Sequence, residues 1–342
     1  MNFAISECLA KESKQTILDD LIDKTLVEMR EILGDYKQSQ KLYNIIENSL
    51  ISSGKMIRTK LLIYISLMGE NQIPDKIISQ CAAVEITHLA SLIHDDIIDD
   101  SLIRRSHRSI QSKYGKDVAV FAGDYMISKV FSYLAKKGLV EEISIISDTI
   151  RDMCNGEVGQ NLIKYRLDIS EKEYFENICG KTASFFKTVC YFGAKNAGFN
   201  QIDINKMVEF GKNLGLMFQL RDDILDLFSS KDETGKGEFV DVKEGVYTYP
   251  ILSSINDDKY GDEIYKLLNK NKEVSLNYDE LLILRQLLIE SKACILSSKK
   301  IKEFADKNRL ILASLPIRES DYLYKILDKI EKNWWKLIKR WH

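Results

Sequence analysis

Glu85-Ile-Thr-His88-Leu-Ala-Ser-Leu-Ile-His-Asp95-Asp96-Ile-Ile-Asp99-Asp100-Ser-Leu-Ile-Arg104-Arg105 is the stretch on which the reading of this chain turns. At about 100° per residue, Asp95 and Asp99 share a helical face with His88 two turns earlier and Leu92 between. Asp96 and Asp100 form a second i,i+4 pair. Four carboxylates on the continuation of a partly apolar face repel one another and resist burial. A multivalent cation would resolve the conflict.

The string Asp-Asp-x-x-Asp also occurs at Asp19-Asp20-Asp23 and at Asp222-Asp223-Asp226. Around the first of these, Ile17, Leu18, Leu21, Ile22, Leu26 and Met29 gather on one side and the acids on the other. That pattern predicts an ordinary surface helix with its carboxylates in water. Around Asp222, by contrast, Gly211, Gly215, Gln219, Asp222 and Asp226 share a face, so acids stand above positions with no side chain. Hard oxygen ligands without nearby Cys or His point to Mg²⁺ completed by water and phosphate oxygens rather than to zinc.

Working outward, 342 residues supply ample material for a core, and only three prolines interrupt them (Pro74, Pro250, Pro316). Helical periodicity nearly throughout predicts an all-α protein. A formal net charge of −2 gives no global attraction to nucleic acid or anionic membrane. Six cysteines at no metal-like spacing read as free thiols of a reducing compartment. The absence of a signal-like leader and of an 18-residue apolar run gives the expectation of a cytoplasmic protein. The least helical stretch, Ser229 to Pro250, follows the third Asp string directly and reads as an active-site loop, so one domain over residues 1–342 is expected.

Cations lie near the acids or at helix entrances. Ser53-Gly54-Lys55-x-x-Arg58 opens a helix after a glycine, where an anion can meet free amides and positive side chains. Arg104-Arg105 follows the second Asp string, Lys181-Thr182 opens a helical run after Gly180, and Lys236 lies in the glycine-containing loop. Together they describe a site for two diphosphate groups, one held through Mg²⁺ and one by cations directly.

The quoted stretch resembles the first Asp-rich motif of trans-isoprenyl (polyprenyl) diphosphate synthases, and Gly215-Leu-Met-Phe-Gln219-Leu-Arg-Asp222-Asp-Ile-Leu-Asp226 resembles the second. Gly123-Asp124-Tyr125, Gly156-Glu157-x-x-Gln160 and Lys181-Thr182-Ala183 match further landmarks in the expected order, over roughly Leu50 to Pro250. The resemblance implies a bundle of antiparallel helices around a central cavity, usually a homodimer. It implies Mg²⁺, about three ions, on Asp95, Asp99 and Asp222, with Asp223 and Asp226 completing the second acidic wall. It places Arg104, Lys181, Thr182, Gln219 and Lys236 at the allylic prenyl diphosphate. Lys55, Arg58, His88 and Arg105 would hold isopentenyl diphosphate. Lys181 and Thr182 would act on the reacting centre, Thr182 by steadying the developing cation. Val246 departs from the family pattern, which has lysine there, and Lys243 is a nearby substitute.

Ala90 and Ser91, one turn before Asp95, continue with Thr87 and Ala83 as a strip of small side chains. An aromatic residue there would floor the cavity, so the strip predicts a long product, C30 or longer, unless it serves close helix packing instead. Met126, Val130, Phe131 and Tyr133 are candidate floor residues. The basic, aromatic C-terminus from Lys332 to Trp341 can lie in a membrane interface or pack against a dimer partner. The alternatives are a short-chain farnesyl or geranylgeranyl diphosphate synthase and, from another class, a non-catalytic subunit of a heteromeric synthase. A terpene cyclase fits less well, because the second motif is Asp-rich and the isopentenyl-site cations are present.

Overall fold

Long runs of good helix formers become helices wherever one face can be buried, and this chain follows that rule. A computed structural model describes residues 2–34, 42–47, 54–69, 75–104, 107–229, 238–316 and 320–332, without the side chains of residues 2–15 and 332. The helices are α1 (Asn2–Leu33), α2 (Ile57–Ser66), α3 (Ile77–Ile98), α4 (Ile110–Tyr114), α5 (Lys116–Lys136), α6 (Val140–Leu162) and α7 (Glu171–Ile178). A π-helical turn, Cys179–Ala183, leads without a break into α8 (Ser184–Asn196). After it come α9 (Gln201–Phe228), α10 (Val240–Lys243), α11 (Tyr249–Leu252), α12 (Gly261–Glu273), α13 (Tyr278–Glu290), α14 (Ala293–Ala313) and α15 (Asp321–Lys332). Among the described residues the only strands are β1 (Ile103–Arg104) and β2 (His107–Arg108), an antiparallel pair of two residues each. The all-α expectation holds.

The chain divides into two compact units, Met1–Asp148 with Thr188–Asn205, and Thr149–Lys187 with Lys206–His342.

In the first unit α3 is the core helix. Cys81, Ala82, Val84, Ile86 and Ala90 are fully buried, which is the signature of a helix surrounded by others. Helix α5 packs along it, with α1 contributing Leu18, Leu21 and Met29. The acids Asp19, Asp20 and Asp23 face solvent on the other side of α1, and Asp20 takes a surface ion pair from Lys24 at 2.6 Å. The decoy reading of that string is correct. Buried polar groups are matched in a chain: Asn196 Nδ2 donates to Gln80 Oε1 (2.8 Å), and Gln80 Nε2 to Glu142 Oε1 (2.9 Å). Glu142 also receives Lys76 Nζ at 2.7 Å. Both α3 and α5 are long and apolar enough to cross a membrane by composition, contrary to the sequence expectation. For α3 the packing explains this, since 78% of the apolar window is buried inside the protein.

In the second unit α9 plays the same part, burying Met207, Phe210, Leu214, Met217, Leu220 and Ile224. Helix α14 meets it through Asn308, whose Nδ2 donates to the Phe210 carbonyl at 3.1 Å and whose Oδ1 accepts from Asn213 at 3.0 Å. Helix α13 starts with a reciprocal capping box between Asn277 and Glu280.

Candidate active site

Acidic residues are unfavourable at the C-terminal end of a helix, where the backbone dipole is already negative. Both surviving Asp strings sit there, at the ends of α3 and α9.

At the end of α3 the protein itself neutralises two of the four acids. Arg104 donates to Asp96 Oδ1 from Nη2 at 2.6 Å and from Nε at 2.8 Å. Lys116 Nζ lies 2.9 Å from Asp100 Oδ1 and holds that exposed carboxyl below its ordinary range. Asp96 is buried, and desolvation raises its pKa although Arg104 opposes the shift. Arg104, expected on a diphosphate, is thus engaged by Asp96. Asp95, half-buried, and Asp99, exposed, form a separate pair one turn apart.

The entrance to α2 brings two of the expected site residues together. Gly54 (φ 74°) and Met56 (φ 46°) turn the chain into the helix with Lys55 exposed between them. Arg58 Nη1 lies 2.9 Å from His88 Nε2, so these two expected partners do come together. A guanidinium can only donate, which leaves His88 Nε2 as acceptor and the ring proton on Nδ1. The buried carboxylate of Glu85 accepts from the Thr59 amide (3.1 Å) and hydroxyl (2.8 Å). Glu85 therefore caps α2 from a distance and uses one of the amides that the sequence left for an anion. His94 packs its ring on the backbone of Gly123, where a Cβ would stand 2.2 Å from Nε2. Ala90 and Ser91 are buried, and the Ser91 hydroxyl donates to the His88 carbonyl at 2.8 Å. Arg105, Lys236 and the C-terminal residues 333–342 lie outside the described residues.

In the second unit Lys181 and Thr182 do not open a helix. They lie in the π-turn, a one-residue expansion of a continuous helix that recurs at functional sites. The turn is pressed against α6: a Cβ on Gly156 would stand 2.3 Å from the Lys181 amide nitrogen, and one on Gly180 2.6 Å from the Asp152 carbonyl oxygen. Two missing side chains thus let backbone meet backbone, and one turn along α6 the Lys181 ammonium reaches Gln160 Oε1 (2.9 Å) and Glu157 (3.1 Å). On its other side the turn meets α9, where a Cβ on Gly215 would stand 2.5 Å from Ala183 Cα. Gly215 accordingly serves close packing, not ligand room, which corrects the sequence reading. That approach lets Thr182 Oγ1 donate to Gln219 Oε1 at 2.6 Å and Gln219 Nε2 donate to Asp223 Oδ1 at 2.9 Å. The Tyr174 hydroxyl completes the chain on Asp223 Oδ2.

Asp223 is buried, and desolvation pushes its pKa up to about 7. Asp226 accepts the amides of Val240 (2.9 Å) and Asp241 (3.2 Å), so it caps the short helix α10 after the loop. Burial first, and then the neighbouring Asp226, raises the Asp241 pKa well above the carboxylate range. Lys243, the suggested substitute for a cation at position 246, donates to the Glu238 carbonyl at 2.9 Å. Val246 itself lines a small cleft with Gln160, Ile163, Tyr174, Asn177, Ile178 and Tyr247. Tyr174 was invisible as a site residue in the sequence, because an aromatic on an apolar helix face carries no polar signal of its own.

Among the described residues no three His, Cys, Asp or Glu side chains converge as a ready-made metal set. The donor chemistry nevertheless fits a hard divalent cation that takes one or two carboxylates and fills its shell with water and phosphate oxygens.

An all-helical chain with carboxylates at the ends of two core helices and lysine, threonine and glutamine gathered beside one of them has the parts of a prenyltransferase. Residues 39–282 match the family described as polyprenyl synthetase, and the chain belongs to that family. It is 33% identical over 247 residues to the geranylgeranyl diphosphate synthase of Sulfolobus acidocaldarius, covering 69% of this chain and 74% of the relative. It is 32% identical over 249 residues to the chloroplastic solanesyl-diphosphate synthase 2 of Oryza sativa subsp. japonica, covering 71% and 61%. The crystal structure of a polyprenyl synthase from Caulobacter crescentus CB15, complexed with calcium and isoprenyl diphosphate, superposes with a TM-score of 0.80 at 26% identity. It covers 92% of this chain and 97% of that one.

Proposed function

We propose that this prenyltransferase condenses isopentenyl diphosphate with an allylic prenyl diphosphate and repeats the step to a trans-polyprenyl diphosphate of C30 or longer. The allylic C–O bond breaks, a C–C bond forms to the isopentenyl double bond, and a proton and pyrophosphate leave. The observation that carries the reading is the string of four acids, Asp95, Asp96, Asp99 and Asp100, gathered at the end of the buried core helix α3 in a chain of the polyprenyl synthetase family. Asp95, Asp99, Asp222 and Asp226 would hold Mg²⁺, about three ions in all, and the ions when bound would offset the charge gained by the departing diphosphate. Lys181, fixed by its π-turn, donates to the same leaving group together with Lys236. Lys55, Arg58, His88 and Arg105 bind isopentenyl diphosphate, the Arg58–His88 contact aligning two of them. The enzyme works in the cytoplasm, where its described cysteines stay free thiols, and as one synthase domain over residues 1–342.

Labelled isopentenyl diphosphate, offered with C10, C15 or C20 primers and Mg²⁺, is expected to enter products of C30 or longer on reversed-phase chromatography. EDTA should abolish the incorporation and Mg²⁺ restore it. No incorporation with any primer would reject prenyl transfer, whereas products ending at C15 or C20 would reject only the chain length. In the same assay Ala90→Phe should shorten the product, since an aromatic ring would replace a methyl one turn before Asp95. Ser91→Phe should do the same, and an unchanged distribution in both variants would remove Ala90 and Ser91 from the chain-length determinants.

The active form is a homodimer. Val120 and Phe121 on α5, Ile98 at the end of α3, and Leu102 and Ile103 after it expose between 40% and 68% of their surface, apolar side chains that a partner subunit would cover. Sedimentation equilibrium should give twice the 39.4 kDa chain mass, and a single species at 39.4 kDa would exclude the dimer.

A further inference from the structure

We propose that Tyr174 is a positioning residue that sets the direction of the Thr182 hydroxyl through Asp223 and Gln219. This proposal rests on the prenyl-transfer reading. In the structure Asp223 is the acceptor of two hydrogen bonds, from Tyr174 O–H on Oδ2 and from Gln219 Nε2–H on Oδ1. The amide of Gln219 must therefore turn its NH₂ toward Asp223, which leaves Oε1 for Thr182. An amide oxygen accepts, so the single proton of Thr182 is committed to it at 2.6 Å. Thr182 then offers only lone pairs in every other direction. That polarity suits a group beside an allylic carbocation, where an O–H dipole of the opposite sense would be repelled.

Every link in the chain is held by packing. Tyr174 is buried, with Phe175 edge-on at 5.1 Å and Tyr249 at 5.9 Å between ring centroids. Gly215 lets α9 touch the π-turn at Ala183, which makes the Thr182–Gln219 contact short enough to be direct. Asp223, though central to an Asp-rich string, has both oxygens taken by Tyr174 and Gln219. It acts by orienting Gln219.

Tyr174→Phe keeps the ring and removes one hydroxyl. It is expected to lower kcat by about 10- to 100-fold with KM for isopentenyl diphosphate within about twofold. Thr182→Val should lose a similar factor and Thr182→Ser should retain activity. Because Tyr174 acts through Thr182, the Tyr174→Phe/Thr182→Val double variant should fall no more than about twofold below Thr182→Val alone. Multiplying single effects would overturn the proposal. If Tyr174→Phe does not fold, Gln219→Leu makes the same test, since it cuts the chain while keeping the Tyr174–Asp223 pair, and its effect should likewise vanish in the Thr182→Val background. A crystal structure of Tyr174→Phe decides the matter without turnover. Gln219 should leave Asp223 or Thr182, and an unmoved Gln219 would overturn the assignment. A wild-type enzyme that incorporates no isopentenyl diphosphate would defeat the prenyl-transfer reading alone, with the crystal comparison still judging the hydrogen-bond chain.

Discussion

Asparagine at Asp95 is expected to lower kcat by on the order of 10³-fold, the scale of losing one preorganised electrostatic contact to a transition state that develops charge. The substitution conserves shape and removes one charge. Its effect is large because the neighbouring acids cannot stand in: Asp96 is bound by Arg104 at 2.6 Å and Asp100 by Lys116 at 2.9 Å. Stability should not fall with activity. A carboxylate removed from the C-terminal turn of α3 relieves repulsion with the helix dipole, so the melting temperature is expected to hold or rise slightly. Steady-state kinetics across a Mg²⁺ titration provides the check. A loss under tenfold at saturating Mg²⁺ would remove Asp95 from the ligand set. Asp20→Asn, in the same string on α1, is the control and should change kcat less than about twofold.

Arg285→Ala is expected to destabilise the protein by about 3–5 kcal/mol, the range for leaving half of a buried ion pair uncompensated. Arg285 is 5% exposed, donates from Nε to the Leu227 carbonyl at 2.7 Å and from Nη2 to Glu238 Oε2 at 2.8 Å. Its guanidinium also lies 4.2 Å from the Phe239 ring centroid. One side chain therefore ties the end of α9 to the residues that lead into α10. Urea denaturation measures the loss, and a change under about 1 kcal/mol would show that the pair is dispensable. Replacing Arg285 and Glu238 together by methionine should recover part of the stability, because no charge is then left buried without a partner. A fall in kcat alongside the stability loss is also expected, since Asp226 caps α10 just beyond this anchor.

Much of the site could be read before any coordinates. Periodicity separated Asp19-Asp20-Asp23 from the other two strings, because the apolar residues of α1 leave those acids no face except the solvent one. The proposal that Asp95, Asp99 and Asp222 hold a hard cation rests on their residue type, their flanking cations and the family resemblance. Arg58 and His88 were assigned to one substrate only by family resemblance, and the structure places the two side chains 2.9 Å apart. Other elements resisted. Gly215 looked like room beneath the acids and is instead a contact with Ala183. Lys181 and Thr182 looked like a helix start and are a π-turn inside a helix, so no free amides surround them. Arg104 meets Asp96, a contact that spacing along the chain does not announce.

Sequence by itself determined the helical class, the two acid-bearing helix ends and, through its motifs, the family. Those properties depend on residue type and on spacing along one helix, and 3.6-residue periodicity preserves both. Only the tertiary structure decided which acids meet protein cations, why Gly156 and Gly215 must lack side chains, and that Tyr174 donates to Asp223. Each of these depends on how one helix face registers against another. Spacing along a single chain does not encode that register. It is set by close packing between helices, where one absent Cβ decides whether a hydrogen bond can form.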